Sequence, residues 1–202
     1  SYFPIYAFAN RVDVANYSAE TVWEGEIKEG LTYRYFENKT GYQFIQEATD
    51  LFKINDKHYD FVLSCHSLEH VANPIKALFE WKRVLKDGGA LMLVLPFKEG
   101  TFDKQRPYTT FDHLLQDYEL NTTEKDETHF EEIKNLHDFS MEKGVIDKQA
   151  FEDRLKDNYI NRCAHHHVFS EEVIAQMLEY VGFKVDYQII VHQFHLVALA
   201  YL

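Results

Sequence analysis

The chain has 202 residues, which suffices for one domain with a sizeable core. Its 33 acidic and 21 basic residues give a formal net charge of -12, which argues against a nucleic-acid partner, since such proteins need a basic stripe for the phosphates. A hydrophobic fraction of 46% excludes a disordered chain, and the sequence shows no signal peptide and no apolar run of membrane-spanning length. Two cysteines are too few for a disulfide framework, so we predict a cytoplasmic protein.

The amino-terminal part is predicted to contain two short strands. Arg11 to Val14 is typical of a strand that ends in an acid, Asp13, and Tyr42 to Ile45 is typical of a second strand. Residues 15–41 are polar and aromatic and are interrupted by glycines, which favours a helix fragment followed by a loop.

The middle of the chain predicts a strand–helix–strand unit. Phe61 to Leu63 is a short apolar run of the kind found in a buried parallel strand. A helix is predicted from Pro74, with Asn73 as its N-cap. It ends at Asp87-Gly88-Gly89, and Ala90 to Leu95 follows as a second apolar strand. Such a unit is right-handed and builds an open parallel sheet.

Residues 98–167 do not continue the alternation of apolar strands and helices. We interpret them as a helical insertion that covers the carboxyl ends of the predicted strands, where a ligand would bind. Thr109 or Thr110 is predicted to cap a helix with one apolar face. Two further charged helices are predicted near Glu124 to Glu142 and Asp147 to Tyr159. Insertions of this kind expel water and define substrate choice.

The carboxyl-terminal part predicts a helix and a hairpin. Ser170 is the predicted N-cap of the helix, and Gly182 ends it. Phe183 to Val191 and Phe194 to Tyr201 are β-rich runs separated by two residues, which predicts an antiparallel pair.

An ordered set of short segments then points to a known family: Tyr59-Asp60-Phe61-Val62, Glu69-His70-Val71, Pro74 and Val84-Leu85-Lys86-Asp87-Gly88-Gly89. Together they resemble the middle of a class I S-adenosylmethionine-dependent methyltransferase, nearest to the small-molecule branch. The resemblance implies a doubly wound, mostly parallel α/β sheet of Rossmann-like type with a C-terminal antiparallel hairpin. It implies one domain over residues 1–202, with a helical cap insertion at about 98–167. It also implies the cofactor S-adenosyl-L-methionine and a transferase that acts on a small molecule, but it identifies neither the acceptor, the methylated atom nor the oligomeric state.

The resemblance also implies cofactor-binding residues. The acid of the second strand, here Asp13, accepts hydrogen bonds from the ribose hydroxyls in this family. Asp50 and Leu51 match the adenine-binding turn, where the carboxylate takes a hydrogen bond from the exocyclic amine. Ser64 and Cys65, at the end of the fourth strand, would line the cofactor.

In this family a first strand and a glycine-rich loop precede these elements, but none of the 8 glycines here precedes Gly25. We expect Ser1 to Ile5 to be the tail of that loop and the chain to be a fragment. The alternative is a catalytically inactive methyltransferase-like domain that serves as an interaction or accessory module. The upstream sequence would distinguish the two.

Histidines are the candidate bases, because the imidazole pKa lies near working pH. His70 is the first candidate, His66 the second and His167 the third, while a structural role stays open for one of the first two.

Substrate contacts are predicted for Arg106 and Tyr108, in the polar loop after the second strand of the unit, and for His165.

Two histidine patterns also raise the question of a metal. His66-x-x-Glu69-His70 matches an inverted zinc-protease pattern, but it directly follows a strand and is cut by Pro74, so a zinc hydrolase is a distant third interpretation. In His165-His166-His167, consecutive side chains of an extended segment alternate in direction, so three cannot easily ligate one ion, although His165 and His167 could share a face. We therefore predict no metal.

Overall fold

The computed structural model describes residues 4–141 and 147–202. The chain forms two compact units, one up to Asn55 and one from Asp56, which are described separately. The expected single domain over residues 1–202 stays a prediction, and Ser1 to Phe3 of the expected loop tail lie outside the described residues. In the part of the chain that is described, no helix has the length and apolar character needed to cross a membrane.

The first unit consists of one short helix and five strands: α1 (Ile5–Phe8), β1 (Val14–Asn16), β2 (Glu20–Thr21), β3 (Gly25–Glu26), β4 (Gly30–Phe36) and β5 (Lys39–Ile45). The strand β5 is central in a three-stranded sheet, with β1 parallel on one side and β4 antiparallel on the other. The strands β2 and β3 form a separate antiparallel pair.

The prediction for residues 15–41 is wrong. This segment consists of strands and not of a helix fragment and a loop. The strands β4 and β5 pair with each other in antiparallel fashion, for example Gly30 with Gln43, and this pairing stabilises the extended conformation. The predicted strand Tyr42 to Ile45 is confirmed as the end of β5.

The expected position of Asp13 is also wrong. The strand β1 begins at Val14, so Asp13 precedes the strand instead of closing it. Its carboxylate Oδ1 accepts hydrogen bonds from Arg11 Nε at 2.7 Å and from the Tyr42 backbone N–H at 2.6 Å. Gly41 makes this close approach feasible, since a Cβ there would lie 1.6 Å from the Val12 carbonyl oxygen.

The second unit contains four strands and six helices in its described residues. The strands are β6 (Tyr59–Cys65), β7 (Leu85–Pro96), β8 (Lys184–Val191) and β9 (His195–Tyr201). The helices are α2 (Pro74–Val84), α3 (Phe111–Glu119), α4 (Phe130–Leu136), α5 (Lys148–Lys156), α6 (Asn158–Asn161) and α7 (Glu171–Val181).

The four strands form one sheet in the order β6-β7-β9-β8. The strands β6 and β7 are parallel, with Val62 opposite Leu91, and α2 connects them. The predicted strand–helix–strand unit is therefore confirmed, but the helix ends at Val84, and the predicted stop Asp87-Gly88-Gly89 lies within β7. Both β7 with β9 and β8 with β9 pair antiparallel, so the second unit is a mixed α/β structure that ends in an antiparallel pair.

Local capping chemistry sets the helix ends. The Asn73 side chain accepts a hydrogen bond from the Lys76 N–H and Pro74 is the first helical residue, as predicted. Thr110 caps α3 and Ser170 caps α7 in the same way. Gly182 follows α7 with φ 101°, a left-handed conformation that glycine adopts without strain.

The helical insertion starts with a short 3₁₀ turn, Lys98–Gly100, and contains α3 to α6. The predicted helix Glu124 to Glu142 is shorter in the structure, where α4 and a 3₁₀ turn at Phe139–Met141 cover part of it; its last residue lies outside the described residues. The insertion has a small apolar cluster of its own, formed by Ile133, Phe151, Leu155 and Ala164.

Candidate active site

The carboxyl end of β6 carries the first candidate residues. Ser64 is buried, and its hydroxyl has no hydrogen-bond partner among the described residues. Cys65, the last residue of the strand, is exposed as a whole, but partial burial of its thiol and the nearby Glu69 raise its pKa. A buried hydroxyl without a hydrogen-bond partner at the carboxyl end of a parallel strand fits a ligand-binding position.

His66 follows the strand in a left-handed conformation, with φ 47°. Its Nε2 lies 2.7 Å from Nδ1 of His195, and its Nδ1 lies 3.4 Å from a carboxylate oxygen of Glu69. His195 was not predicted from the sequence, because its approach depends on the pairing of β9 with β7.

Glu69, His70 and His165 form a compact group whose ligating atoms all lie within 4.8 Å of one another. Glu69 and His70 belong to a 3₁₀ turn just after β6, and His165 belongs to the segment before α7. The rings of His70 and His165 meet edge to face with 4.8 Å between their centroids. The Nδ1 of His70 lies 3.1 Å from the Ala164 carbonyl oxygen, which can only accept, so Nδ1 carries the hydrogen and Nε2 the lone pair.

The charges in this group are set by burial and by the neighbours. Burial lowers the pKa of His70, His165 adds to the effect and Glu69 opposes it, with a net value of about 4. Burial raises the pKa of Glu69, but the combined effect of His66, His70 and His165 is larger and opposite. The pKa of Glu69 is therefore lowered. The group therefore combines an ionised Glu69 with a neutral His70 at neutral pH.

Asp103 supports His165 from the other side. Its Oδ2 accepts a hydrogen bond from His165 Nδ1 at 2.5 Å. Burial raises the pKa of Asp103, but His165 and Arg106 lower it more, to about 2. Burial lowers the pKa of His165, but Asp103 raises it more, so the net direction is upward. Asp103 was not predicted from the sequence, where its one signal is the i, i+3 spacing to Arg106.

The structure gives Arg106 a different role from the predicted substrate contact. The side chain is 1% exposed, and its guanidinium donates to Asp103 Oδ1, to Glu132 Oε1 and to the carbonyl oxygens of His165 and His166. These four bonds engage four of its five N–H donors with protein acceptors, so Arg106 holds the His165 segment in position.

Tyr108, the other loop residue, is 40% exposed and has Lys98 Nζ 4.4 Å from its ring centroid. A contact with substrate stays a prediction for this residue.

His167, the third candidate base, does not belong to the group around His70. It is buried, and its Nε2 lies 3.3 Å from the Ala72 carbonyl oxygen and 3.7 Å from Asp117 Oδ2. His66 and His70 likewise do not share a helix face, since His66 precedes the 3₁₀ turn. The geometry of an inverted zinc protease is therefore absent at these residues.

In the first unit, Asp50 is exposed and follows a turn after β5, with its N–H 3.1 Å from the Glu47 carbonyl oxygen. Leu51 is 6% exposed. Both lie beyond the carboxyl end of β5, and their contact with adenine stays a prediction.

A parallel strand pair with polar side chains beyond its carboxyl end is the arrangement of α/β proteins that bind ligands at that edge. The chain belongs to the methyltransferase domain family, whose model matches residues 11–188. No match was found among curated proteins.

The chain is also similar to several solved structures. A Listeria monocytogenes protein assigned to the S-adenosylmethionine-dependent methyltransferases is 17% identical, with 98% of this chain and 84% of that protein covered and a TM-score of 0.54. An S-adenosylmethionine-dependent methyltransferase of Methanosarcina mazei is 18% identical over 85% of this chain and 73% of that protein, with a TM-score of 0.44. One from Aquifex aeolicus is 16% identical, with 78% of this chain covered and a TM-score of 0.42, and this chain spans 53% of its length.

Proposed function

We propose that the protein transfers a methyl group from S-adenosylmethionine to a small-molecule acceptor, on a doubly wound methyltransferase fold. The observation that carries this proposal is the Glu69–His70–His165 group directly beyond β6, in a chain of the methyltransferase domain family. The net charge of -12 supports a small acceptor over a nucleic acid.

Ser64 and Cys65 are the proposed cofactor contacts of the second unit. The Ser64 hydroxyl fits this role because it is buried at the strand end and has no protein partner among the described residues. Asp50 and Leu51 are proposed for the adenine on the resemblance alone. Asp13 is not retained, because its carboxylate oxygen is occupied by Arg11 and Tyr42.

S-adenosylmethionine, when bound, supplies the activated methyl group. The protein contributes proximity, a dry environment and a base for an acceptor that must lose a proton. The Nε2 of His70 is the proposed base, since Nδ1 donates to Ala164 and the ring is neutral. Glu69 would stabilise the imidazolium that forms, and His165, held by Asp103, would limit the movement of the ring.

Calorimetric titration of the full-length gene product with S-adenosylmethionine tests the proposal. We expect binding of one molecule per chain, followed by release of S-adenosylhomocysteine when an acceptor is present. Failure to bind the cofactor would favour the inactive, methyltransferase-like module instead.

A further inference from the structure

Four metal-ligating side chains outside the candidate active site converge in the second unit. His113 and Asp117 are four residues apart on α3, so both project from one face of this helix. His129 directly precedes α4, and His167 lies in the segment before α7. One ligating atom from each of the four lies within 4.8 Å of all the others.

The individual distances match those between ligands of one ion. His113 Nε2 lies 3.0 Å from His129 Nε2 and 3.4 Å from Asp117 Oδ2, and His167 Nε2 lies 3.7 Å from the same oxygen. In a tetrahedral site with bonds of about 2.0 Å, neighbouring ligand atoms are about 3.3 Å apart. We propose that His113, Asp117, His129 and His167 bind a divalent transition metal, with Zn²⁺ as the best fit.

Asp117 provides the independent sign of a ligand. The residue is 8% exposed, and its Oδ2 has no hydrogen-bond partner among the described residues. Its Oδ1 accepts a hydrogen bond from the Thr122 hydroxyl at 3.0 Å, which fixes the carboxylate plane. Buried carboxylates are normally paired or bound to metal, and an oxygen without a hydrogen bond beside three imidazole nitrogens fits a cation.

The histidines can present lone pairs to the ion. Burial and neighbouring histidines lower the pKa of His129 and bring that of His167 well below its usual value. Without metal, Nε2 of His167 donates to the Ala72 carbonyl oxygen, so binding of an ion through Nε2 requires this hydrogen to move to Nδ1.

Hydrogen bonds without a metal ion explain the convergence of these four side chains less well than a bound ion does. The His113–His129 contact can hold one hydrogen, and His167 Nε2 can donate to the Ala72 carbonyl oxygen at 3.3 Å. Neither bond reaches Asp117 Oδ2, so the carboxylate would keep an unsatisfied oxygen.

The ligand set also indicates the metal and its role. Imidazole favours zinc and related transition ions over magnesium or calcium. Three nitrogens and one oxygen fill a tetrahedron, which is typical of a closed, structural site and leaves no position for a reacting molecule. The ion would join α3, the start of α4 and the segment before α7, and would thus fix the helical insertion.

Zinc loading of the purified, tag-free, full chain tests the inference. The protein is stripped with a chelator, reloaded with Zn²⁺ and desalted, and zinc per chain is measured by mass spectrometry. We expect one zinc per chain, a melting temperature that rises with zinc, and a tetrahedral absorption spectrum after loading with Co²⁺.

Two conservative variants and a matched control locate the site. His113→Gln, at a partly exposed helix position, and Asp117→Asn, which keeps the acceptor for Thr122, should each weaken zinc binding by more than about 100-fold. In the presence of zinc, each variant should have the same melting temperature as the chelator-treated wild type. His58→Gln alters an exposed histidine before β6 and should bind zinc normally.

The inference is overturned if the wild type binds no zinc at micromolar concentrations, or if both variants retain it. It is also overturned if His70→Ala loses the zinc while His113→Gln keeps it, which would move the ion to the Glu69–His70–His165 group. If the variants do not fold, X-ray absorption of the zinc-loaded wild type decides, because a shell of six oxygens contradicts the assignment. None of these outcomes depends on cofactor binding.

Discussion

The chemistry of His70 depends on the groups around its ring. The Ala164 carbonyl fixes the tautomer, burial and His165 keep the ring neutral, and Glu69 lies close enough to stabilise a transferred proton. Burial and a nearby carboxylate shift the pKa of a histidine in opposite directions, so the sequence alone does not give the direction for His70. The structure resolves the direction, since the pKa falls to about 4.

If His70 is the general base, His70→Ala should reduce turnover by about 10²–10⁴-fold and leave cofactor affinity nearly unchanged. The rate of S-adenosylhomocysteine release with an accepted substrate measures the first quantity, and calorimetry measures the second. His58→Ala is the control. Loss of cofactor binding in the His70 variant would instead show that this residue contacts the cofactor or serves packing. Normal turnover would make His66 the candidate base.

Arg106 illustrates a buried ion pair that stabilises a functional segment. Arg106→Met would leave Asp103 buried without its guanidinium partner, so we expect a loss of about 3–5 kcal/mol in the free energy of unfolding. Urea unfolding monitored by circular dichroism measures it. Lys86→Met, which removes a surface pair with Asp60, should have little effect. Equal stability of the two variants would contradict the structural role of Arg106.

Asn73 links two helices of the second unit. Its Oδ1 caps α2 by accepting from Lys76 N–H, and its Nδ2 donates to the Asp117 carbonyl oxygen on α3 at 2.9 Å. Loss of the cap costs about 1 kcal/mol, and loss of the buried bond removes one of two donors to the Asp117 carbonyl, which keeps the Thr122 N–H at 2.9 Å.

Asn73→Ala removes both interactions and should lower the free energy of unfolding by about 1–3 kcal/mol. Asn73→Ser retains a capping oxygen and should lose roughly 1 kcal/mol less than the alanine variant. Chemical denaturation of the two variants and the wild type gives the comparison. Identical losses for serine and alanine would show that the cap contributes nothing.

Elements whose ends are set by nearby residues could be predicted from the sequence. The cap of α2, the cap and the C-terminal glycine of α7, and the β8–β9 pair all follow from local patterns. The strands of residues 14–45 could not, because β4 and β5 are stabilised mainly by each other and their residues lack clear alternation.

The same distinction holds for the sites. His66 and His70 were found because a strand end positions them. The four-ligand cluster was missed, since His167 meets α3 only through tertiary packing. The one local signal was a histidine and an acid at i, i+4 on the predicted helix, His113 and Asp117, and such pairs are common on exposed helices.

Across the whole second unit, burial of neutral histidines connects the candidate site to folding stability. A buried group that binds protons less readily in the folded chain than in the unfolded chain makes stability fall as the pH decreases. For His70, the folded pKa of about 4 lies below the ordinary value of 6.5. Its neutral form is therefore favoured in the folded state, and the groups that face it are Glu69, His165 and Asp103.

We expect the stability contribution of neutral His70 to be complete above about pH 7 and to decline as the pH falls from 6.5 toward 4. By pH 5 the loss should be about 2 kcal/mol, from 1.36 kcal/mol per pKa unit. Urea unfolding of chelated protein between pH 7.5 and pH 5 measures the free energy of unfolding, with ionic strength held constant. His70→Gln, which does not titrate, should lose about 2 kcal/mol less than the wild type over this interval. Parallel pH profiles for the two proteins would mean that His70 titrates near its ordinary pKa, and the assignment of a neutral, buried base would then be wrong.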